Sequence, residues 1–90
     1  MLYEWGRVKA ANNLAKHGVS FDEAATVFRD VLCQTGRDPD HSIGEERYVV
    51  LGMSSTSRLL VVAFVERPPR TRLITARLAT RRERQDYEEG

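Results

Sequence analysis

The chain has 90 residues, of which 41% are hydrophobic and 30% are charged, and its formal net charge is +1. This length fits one small domain over residues 1–90, and the composition is typical of a soluble globular protein. The single cysteine, Cys33, excludes an intrachain disulfide and fits a reducing compartment. The longest apolar run spans only residues 59–65, too short to cross a bilayer, and the first residues lack the apolar core of a signal peptide. We therefore expect a cytoplasmic protein that does not contact a membrane.

The first part of the chain predicts a short edge strand over residues 2–5 and a helix over residues 7–17. Gly18 follows the helix and is suited to the positive φ of a helix C-terminus. Lys16 and His17 lie in the last turn, where cations complement the helix dipole. Apolar residues recur at helical spacing, and we expect this face to pack on the core. Its members are Val8, Ala11, Leu14 and Ala15.

A second helix is predicted to begin after Ser20 and to end near Asp30. Ser20 and Glu23 have the spacing of a capping box, in which each side chain bonds the backbone N–H of the other residue. The apolar face of this helix comprises Phe21, Ala24, Ala25 and Phe28. Residues 31–35 then predict a strand, with Cys33 in or near the core.

The second half predicts three consecutive strands, over residues 47–53, 58–65 and 72–77, with turns at 54–57 and 66–71. Short turns favour an antiparallel meander. A last helix is predicted over residues 80–89. The element order is β-α-α-β-β-β-β-α, which predicts an α+β domain: a small antiparallel sheet covered by helices on one face.

Charge is distributed unevenly along this chain. Residues 1–55 carry a net charge of −2 and residues 56–90 a net charge of +3, and twelve of the fourteen basic residues are arginines. The planar guanidinium group matches phosphate and carboxylate groups through paired hydrogen bonds. The C-terminal third therefore indicates an anionic partner, either RNA or an acidic protein, although a solvated charged surface would give the same counts.

The junction between the last strand and the last helix concentrates these arginines. Thr80 and Glu83 predict a capping box, which places Arg81 and Arg82 in the first helical turn. Cations are unfavourable there, at about 0.3–1 kcal/mol each, because the helix N-terminus already carries partial positive charge. With Arg77 just upstream, the three arginines and the free helix N–H groups predict an anion site. Salt bridges to the acidic residues of the last helix are the alternative explanation.

Arginine stays protonated at working pH, so these residues would bind phosphate and not abstract protons. Alternation along the strand predicts that Arg72 and Arg77 lie on opposite faces. Cleavage of RNA by its own 2′-OH would also need a base and an acid. The candidates are His17, Glu83, Tyr87 and His41. His17 also fits a simple helix end, and Tyr87 also fits an aromatic anchor of the helix on the sheet.

Metal or cofactor binding has little support in the sequence. Asp38, Asp40 and His41 lie close together, but their spacing matches no strong metal motif, and an ordinary loop explains them. There is no glycine-rich phosphate loop. We predict no metal and no cofactor.

Three segments together resemble the BrnT toxins of bacterial type II toxin–antitoxin modules. They are EWGRVKAANNLAKHGVSFDEAATVF, DPDHSIGEERYVVLG and LITARLATRRERQDYEE, in this order and spacing. The resemblance covers nearly the whole chain. It implies a RelE-like fold and an endoribonuclease that blocks translation. It further implies a BrnA-type antitoxin in a 2:2 heterotetramer that binds operator DNA only through the antitoxin.

The resemblance also implies roles for individual residues. The functional arginines of the family lie in the strand-to-helix segment and correspond here first to Arg77 in ITAR and then to Arg81 and Arg82 in ATRRE. Residues carried over from the neighbouring family motifs are Glu83, Tyr87, Lys16 and His17. Arg72, Lys16 and the three junction arginines would hold RNA phosphates. Two alternatives stay open: a non-catalytic binding subunit that acts only with a DNA-binding partner, and a factor whose activity needs the ribosome.

Overall fold

The computed structural model describes residues 2–38 and 44–90. The strands are β1 (Leu2–Glu4), β2 (Gln34–Arg37), β3 (Tyr48–Met53), β4 (Leu59–Arg67) and β5 (Arg70–Leu78). The helices are α1 (Arg7–His17), α2 (Phe21–Ala25) with a 3-10 turn at Thr26–Arg29 after it, and α3 (Arg81–Glu89). In this described part the strands form one sheet, in the order β1-β5-β4-β3-β2.

The α+β class and the order of elements are confirmed, and β2 to β5 form the expected antiparallel meander. The first strand differs from the expectation, because β1 pairs in parallel with β5 and the sheet is therefore mixed. No short turn joins these two strands, so nothing in the local sequence imposes the antiparallel direction of a hairpin.

Several element boundaries differ from the predicted ones. The hairpin between β4 and β5 is tighter than predicted, since the strands leave only Pro68 and Pro69 between them. The second helix is α-helical only to residue 25. Strand β2 begins at Gln34, because Val31 and Leu32 form a turn in which Asp30 Oδ1 accepts the Leu32 N–H at 2.9 Å. Cys33 is half-buried and packs against the core, as expected.

The prediction for the inward face of α1 is wrong. Val8 is 73% exposed and Leu14 is 52% exposed, while Asn13 is buried. The Asn13 amide donates to the carbonyls of Ala76 (2.9 Å) and Val19 (3.0 Å) and accepts the Ala76 N–H at 3.1 Å. Strand β1 pairs only with the first residues of β5, so the rest of that edge needs another partner. Asn13 supplies it, and Ala10 on the same side of α1 packs against the core.

The main core lies between the sheet and α2 with its 3-10 turn. Its fully buried members come from these elements, from the loop before α2 and from the inner face of the sheet. They include Val19, Phe21, Ala24, Val27, Val50, Leu60, Val62, Leu73 and Ala76. A second, smaller cluster on the other face contains Ala63, Val65 and Ile74.

A bulge in β5 changes which side chains share a face. The pairing of β4 with β5 shifts by one residue between Ala63 and Phe64, so β5 contains one extra residue there. Arg72 pairs with Val65 and Arg77 pairs with Val61, and these two valines are four residues apart on one face of β4. Arg72 and Arg77 therefore lie on the same face of the sheet. The prediction of opposite faces is wrong because the extra residue reverses the alternation.

Helix α3 begins with the predicted capping box. Thr80 Oγ1 accepts the Glu83 N–H at 3.1 Å, and Glu83 Oε1 accepts the Thr80 N–H at 2.8 Å. Ala76 belongs to the main core, so the next side chain on β5, Arg77, points to the opposite face, where it meets Glu83 of α3. Helix α1 lies along the edge of β5 and α2 packs on the core face. Helix α3 meets the other face through Glu83 and meets Asp30, after the 3-10 turn, through Tyr87.

Candidate functional site

Arg77 is the centre of the candidate site, at the end of β5 and beside the N-terminus of α3. Its Nη1 donates to Glu83 Oε1 at 2.8 Å and to the Leu78 carbonyl at 3.2 Å, and its Nη2 donates to Glu83 Oε2 at 2.9 Å. A guanidinium group has five N–H donors. The Nε–H and the second Nη2–H find no acceptor among the described residues, and they point in parallel from one edge of the group. The side chain as a whole is 40% exposed.

Glu83 is fully engaged by its neighbours. The Arg77 guanidinium and the Thr80 N–H bind its carboxylate, and the hydrogen bonds from Arg77 are the largest cause that lowers the pKa of Glu83 to about 2. A carboxylate that holds protons so weakly is a poor general base near neutral pH. The geometry favours a positioning role, in which Glu83 fixes the orientation of the arginine.

Arg81 and Arg82 lie in the first turn of α3, as predicted, and both are exposed. They line a surface groove with Gln85, Asp86 and Glu89. Neither arginine makes an ion pair with another described residue, so the expected salt bridging at this junction is limited to Arg77 and Glu83. Two unpaired cations at a helix N-terminus are consistent with an anionic partner.

Arg72 lies nearer the other end of β5 and is half-buried. Its Nη1 donates to Glu4 Oε2 at 2.9 Å, which ties β5 to β1. This ion pair gives Arg72 a structural task in addition to its place on the Arg77 face.

Lys16 and His17, at the end of α1, line a cleft of 220 Å³ between this helix and the edge of β5. The remaining lining residues are Lys9, Asn12, Asn13, Ile74 and Thr75. Thr75 lies two residues before Arg77 on β5, a separation of about 7 Å along the strand. The structure therefore places His17 and Lys16 close to the strand that carries Arg77, although 60 positions separate His17 from Arg77 in the sequence. The lining side chains include three basic groups and no carboxylate.

Tyr87 anchors α3 near the end of β3. Its hydroxyl donates to Asp30 Oδ2 at 2.6 Å, and the same oxygen accepts the Met53 N–H at 2.8 Å. This hydrogen bond to Asp30 is the largest cause that raises the pKa of Tyr87 to about 12. The arrangement favours the anchor interpretation of Tyr87 over that of a catalytic acid.

Sequence reasoning missed Asn13 and Asp30, two residues that hold the site together. The bonds of Asn13 to Ala76 span 63 positions, and Tyr87 is 57 positions from Asp30. A polar residue in a helix gives no sequence signal that its partner is a distant strand edge.

His41 and Asp40, candidates for acid–base chemistry and for metal binding, lie outside the described residues. Within the described ranges, no group of three His, Cys, Asp or Glu side chains is arranged to hold a metal ion.

The comparison with known proteins decides the family. Residues 5–83 match the model of the ribonuclease toxin BrnT of type II toxin–antitoxin systems. The chain belongs to the BrnT family. It is therefore a toxin component of a type II module, and an antitoxin is its partner. The BrnT match includes the candidate residues up to Glu83 and stops before Tyr87.

A solved structure shows the same fold. The crystal structure of the Brucella abortus ribonuclease toxin BrnT aligns with a TM-score of 0.66 at 23% sequence identity, covering 90% of this chain and all of that chain. No curated protein matches this sequence. In the described part of this BrnT chain, no helix is both long and apolar enough to span a bilayer.

Proposed function

We propose that this BrnT chain is an endoribonuclease that cleaves RNA without a metal ion, with Arg77 binding the reacting phosphate. In this reaction the 2′-oxygen of one nucleotide forms a bond to the adjacent phosphorus, and the bond from phosphorus to the 5′-oxygen breaks. The 2′-OH proton passes to a base, and the leaving 5′-oxygen takes a proton from an acid. The products are a 2′,3′-cyclic phosphate and a 5′-hydroxyl end.

The free edge of Arg77 is the observation that carries this proposal. Two parallel N–H groups of the guanidinium have no acceptor among the described residues, on a side chain that is 40% exposed, while Glu83 and the Leu78 carbonyl hold the other three. A pair of parallel donors matches two oxygens of a phosphate. Because Glu83 fixes the group before substrate binds, little reorganisation is needed when negative charge builds up on the phosphate.

His17 is the side chain that best fits the acid–base role. It is half-buried in the cleft that reaches Thr75, and imidazole is the side chain used most often for such proton transfers. Lys16 lines the same cleft, and Arg72 shares the face of Arg77. These cations, with Arg81 and Arg82, would hold flanking phosphates.

We also propose that the antitoxin is of the BrnA type and forms a 2:2 complex that binds operator DNA only through the antitoxin. The support for this is the family of the chain. RNA would be reached either free or on the ribosome, and in both settings the same cationic surface would contact the phosphates.

The test uses the purified chain and a fluorescent single-stranded RNA in the presence of EDTA. We expect cleavage by the wild type and cyclic phosphate ends on the products. Arg77→Ala and Arg77→Lys should each lose about 10²-fold or more in cleavage rate, since lysine restores the charge and not the paired donors. Arg37→Ala is the matched control, because Arg37 is an exposed arginine that pairs only with Glu46 among the described residues.

Expression in cells without antitoxin gives a second readout. Wild type should arrest growth and degrade RNA, and Arg77→Ala should do neither while remaining folded and soluble. Full cleavage by folded Arg77→Ala would contradict the role of Arg77. Absence of both arrest and cleavage with wild type would favour the non-catalytic binding subunit.

A further inference from the structure

The outward face of α1 carries apolar side chains that nothing in the described part of the chain covers. Val8 is 73% exposed and Leu14 is 52% exposed, and Ala11 and Ala15 beside them are exposed as well. At 100° per residue, Val8, Ala11 and Ala15 form one stripe, and Leu14 continues it on one side. Asn13 holds the opposite side of α1 against β5, so the helix cannot rotate to bury this stripe.

The charges around the stripe all have one sign. Helix α1 contains Arg7, Lys9, Lys16 and His17 and not a single acidic residue. Arg7, Lys9 and Lys16 are exposed, and none of them makes an ion pair with another described residue. A helix with an apolar stripe, an unpaired cation at its N-terminal end and others along one side is complementary to an amphipathic helix that carries acidic residues beside its own apolar stripe.

We infer that α1 docks an acidic amphipathic helix of a partner protein, which buries Val8 and Leu14 and pairs with Arg7 and Lys16. A second copy of this chain fits poorly, since it would bring the same unpaired cations against each other. RNA also fits poorly, because the stripe presents aliphatic side chains and not the aromatic rings on which bases stack. The identification of the partner as the antitoxin rests on the proposed function, whereas the surface itself rests on the exposed residues.

The position of this surface has a consequence for regulation. Lys16 belongs both to the margin of the stripe and to the lining of the cleft with His17. An acidic helix on α1 would therefore place carboxylates at one rim of the cleft. These carboxylates would repel RNA phosphates, so docking would inhibit the toxin through charge as well as through steric exclusion.

The direct test measures binding of a synthetic peptide to the purified chain by fluorescence anisotropy. The peptide is about 20 residues long, with leucines on one helical stripe and glutamates at its margins. We expect saturable binding that Val8→Glu and Leu14→Glu each weaken roughly tenfold or more. Val31→Glu is the matched control, because Val31 is a valine 95% exposed in the turn before β2. All three positions are exposed, so the variants should fold, and circular dichroism checks this.

Three further probes decide the chemistry of the occupant. A peptide of the same composition with scrambled leucines, and one with lysine in place of every glutamate, should bind at least about tenfold more weakly than the designed peptide. Equal binding of these peptides would overturn the proposal. The proposal would also be overturned if Val8→Glu and Leu14→Glu lost binding of an RNA oligonucleotide but kept binding of the peptide.

Co-expression with the cognate antitoxin separates this inference from the proposed function. Antitoxin recovered with a tagged Val8→Glu, Leu14→Glu double variant should fall about tenfold or more relative to wild type and to Val31→Glu. Undiminished recovery would overturn the antitoxin as the occupant of α1. RNA cleavage by the same variants alone is measured in parallel. An inactive wild type that still binds the designed peptide would overturn the proposed function and support the docking surface.

Discussion

Arg77 and Glu83 face each other across the junction of β5 and α3 and are joined by two parallel hydrogen bonds of 2.8 and 2.9 Å. Glu83 is also the residue that completes the capping box with Thr80. One carboxylate therefore caps the helix and orients the arginine at the same time. This link ties the local structure of α3 to the geometry of the candidate phosphate site.

Glu83→Gln should separate the positioning role of Glu83 from that of a general base. Glutamine can still cap the helix, but it removes the charge that holds Arg77. We expect a rise in KM and a loss in kcat of less than about tenfold, because removal of a true base costs about 10²–10⁴. Steady-state cleavage of the fluorescent RNA measures both constants. A loss of kcat in the larger range, with KM unchanged, would assign the base to Glu83.

Tyr87→Phe tests the anchor interpretation of Tyr87. The substitution removes one hydrogen bond to Asp30, which keeps the Met53 and Leu32 N–H groups. We expect the free energy of unfolding to fall by about 1–2 kcal/mol in urea titrations. Cleavage per folded molecule should stay within about twofold of wild type, far from the loss expected for a catalytic acid. Loss of cleavage at unchanged stability would instead support the acid role.

Asn13→Leu should destabilise the chain strongly. Leucine has a similar volume but leaves the Ala76 N–H, the Ala76 carbonyl and the Val19 carbonyl without their hydrogen bonds. At about 1–3 kcal/mol for each buried group left unpaired, we expect a loss of about 3–5 kcal/mol. Asn12→Leu, at the exposed neighbouring position, is the control and should change stability by less than about 0.5 kcal/mol. Equal stability of the two variants in urea would contradict the role of Asn13 at the β5 edge.

Stability should fall in acid as two carboxylates become protonated. Hydrogen bonds from Arg58 to Glu23, and from Arg77 to Glu83, lower the pKa of each glutamate to about 2. The ordinary pKa of glutamate is about 4.3, so between about pH 5 and pH 2 the unfolded chain binds more protons than the folded one. The two ion pairs therefore stabilise the fold fully above this window, and that contribution is lost as pH falls through it.

Urea midpoints between pH 7 and pH 3 measure this dependence. In a Glu23→Gln, Glu83→Gln double variant the midpoint should be lower at pH 7 and should change less on acidification. An equally steep decline in the double variant would show that other groups control acid unfolding.

Local patterns in the sequence determined several features of this protein. The capping box at Thr80, the C-terminal Gly18 of α1 with its φ of 68°, and the antiparallel meander depend on residues close together in the chain. The spacing of Thr80 and Glu83 also placed Arg81 and Arg82 at the N-terminus of α3. Similarity of sequence gave the family and thereby the class of activity.

Tertiary structure alone decided how these elements face one another. Apolar spacing predicted the wrong inward face of α1, because Asn13, which bonds the β5 edge, and Ala10, which packs on the core, face inward instead of Val8 and Leu14. One extra residue in β5 reversed the alternation and brought Arg72 onto the face of Arg77. Bonds that join distant segments, such as Asn13 to Ala76, depend on where the whole chain folds back. Short-range periodicity carries no information about hydrogen bonds between distant segments. The candidate site depends on such bonds, so the sequence alone could not predict its geometry.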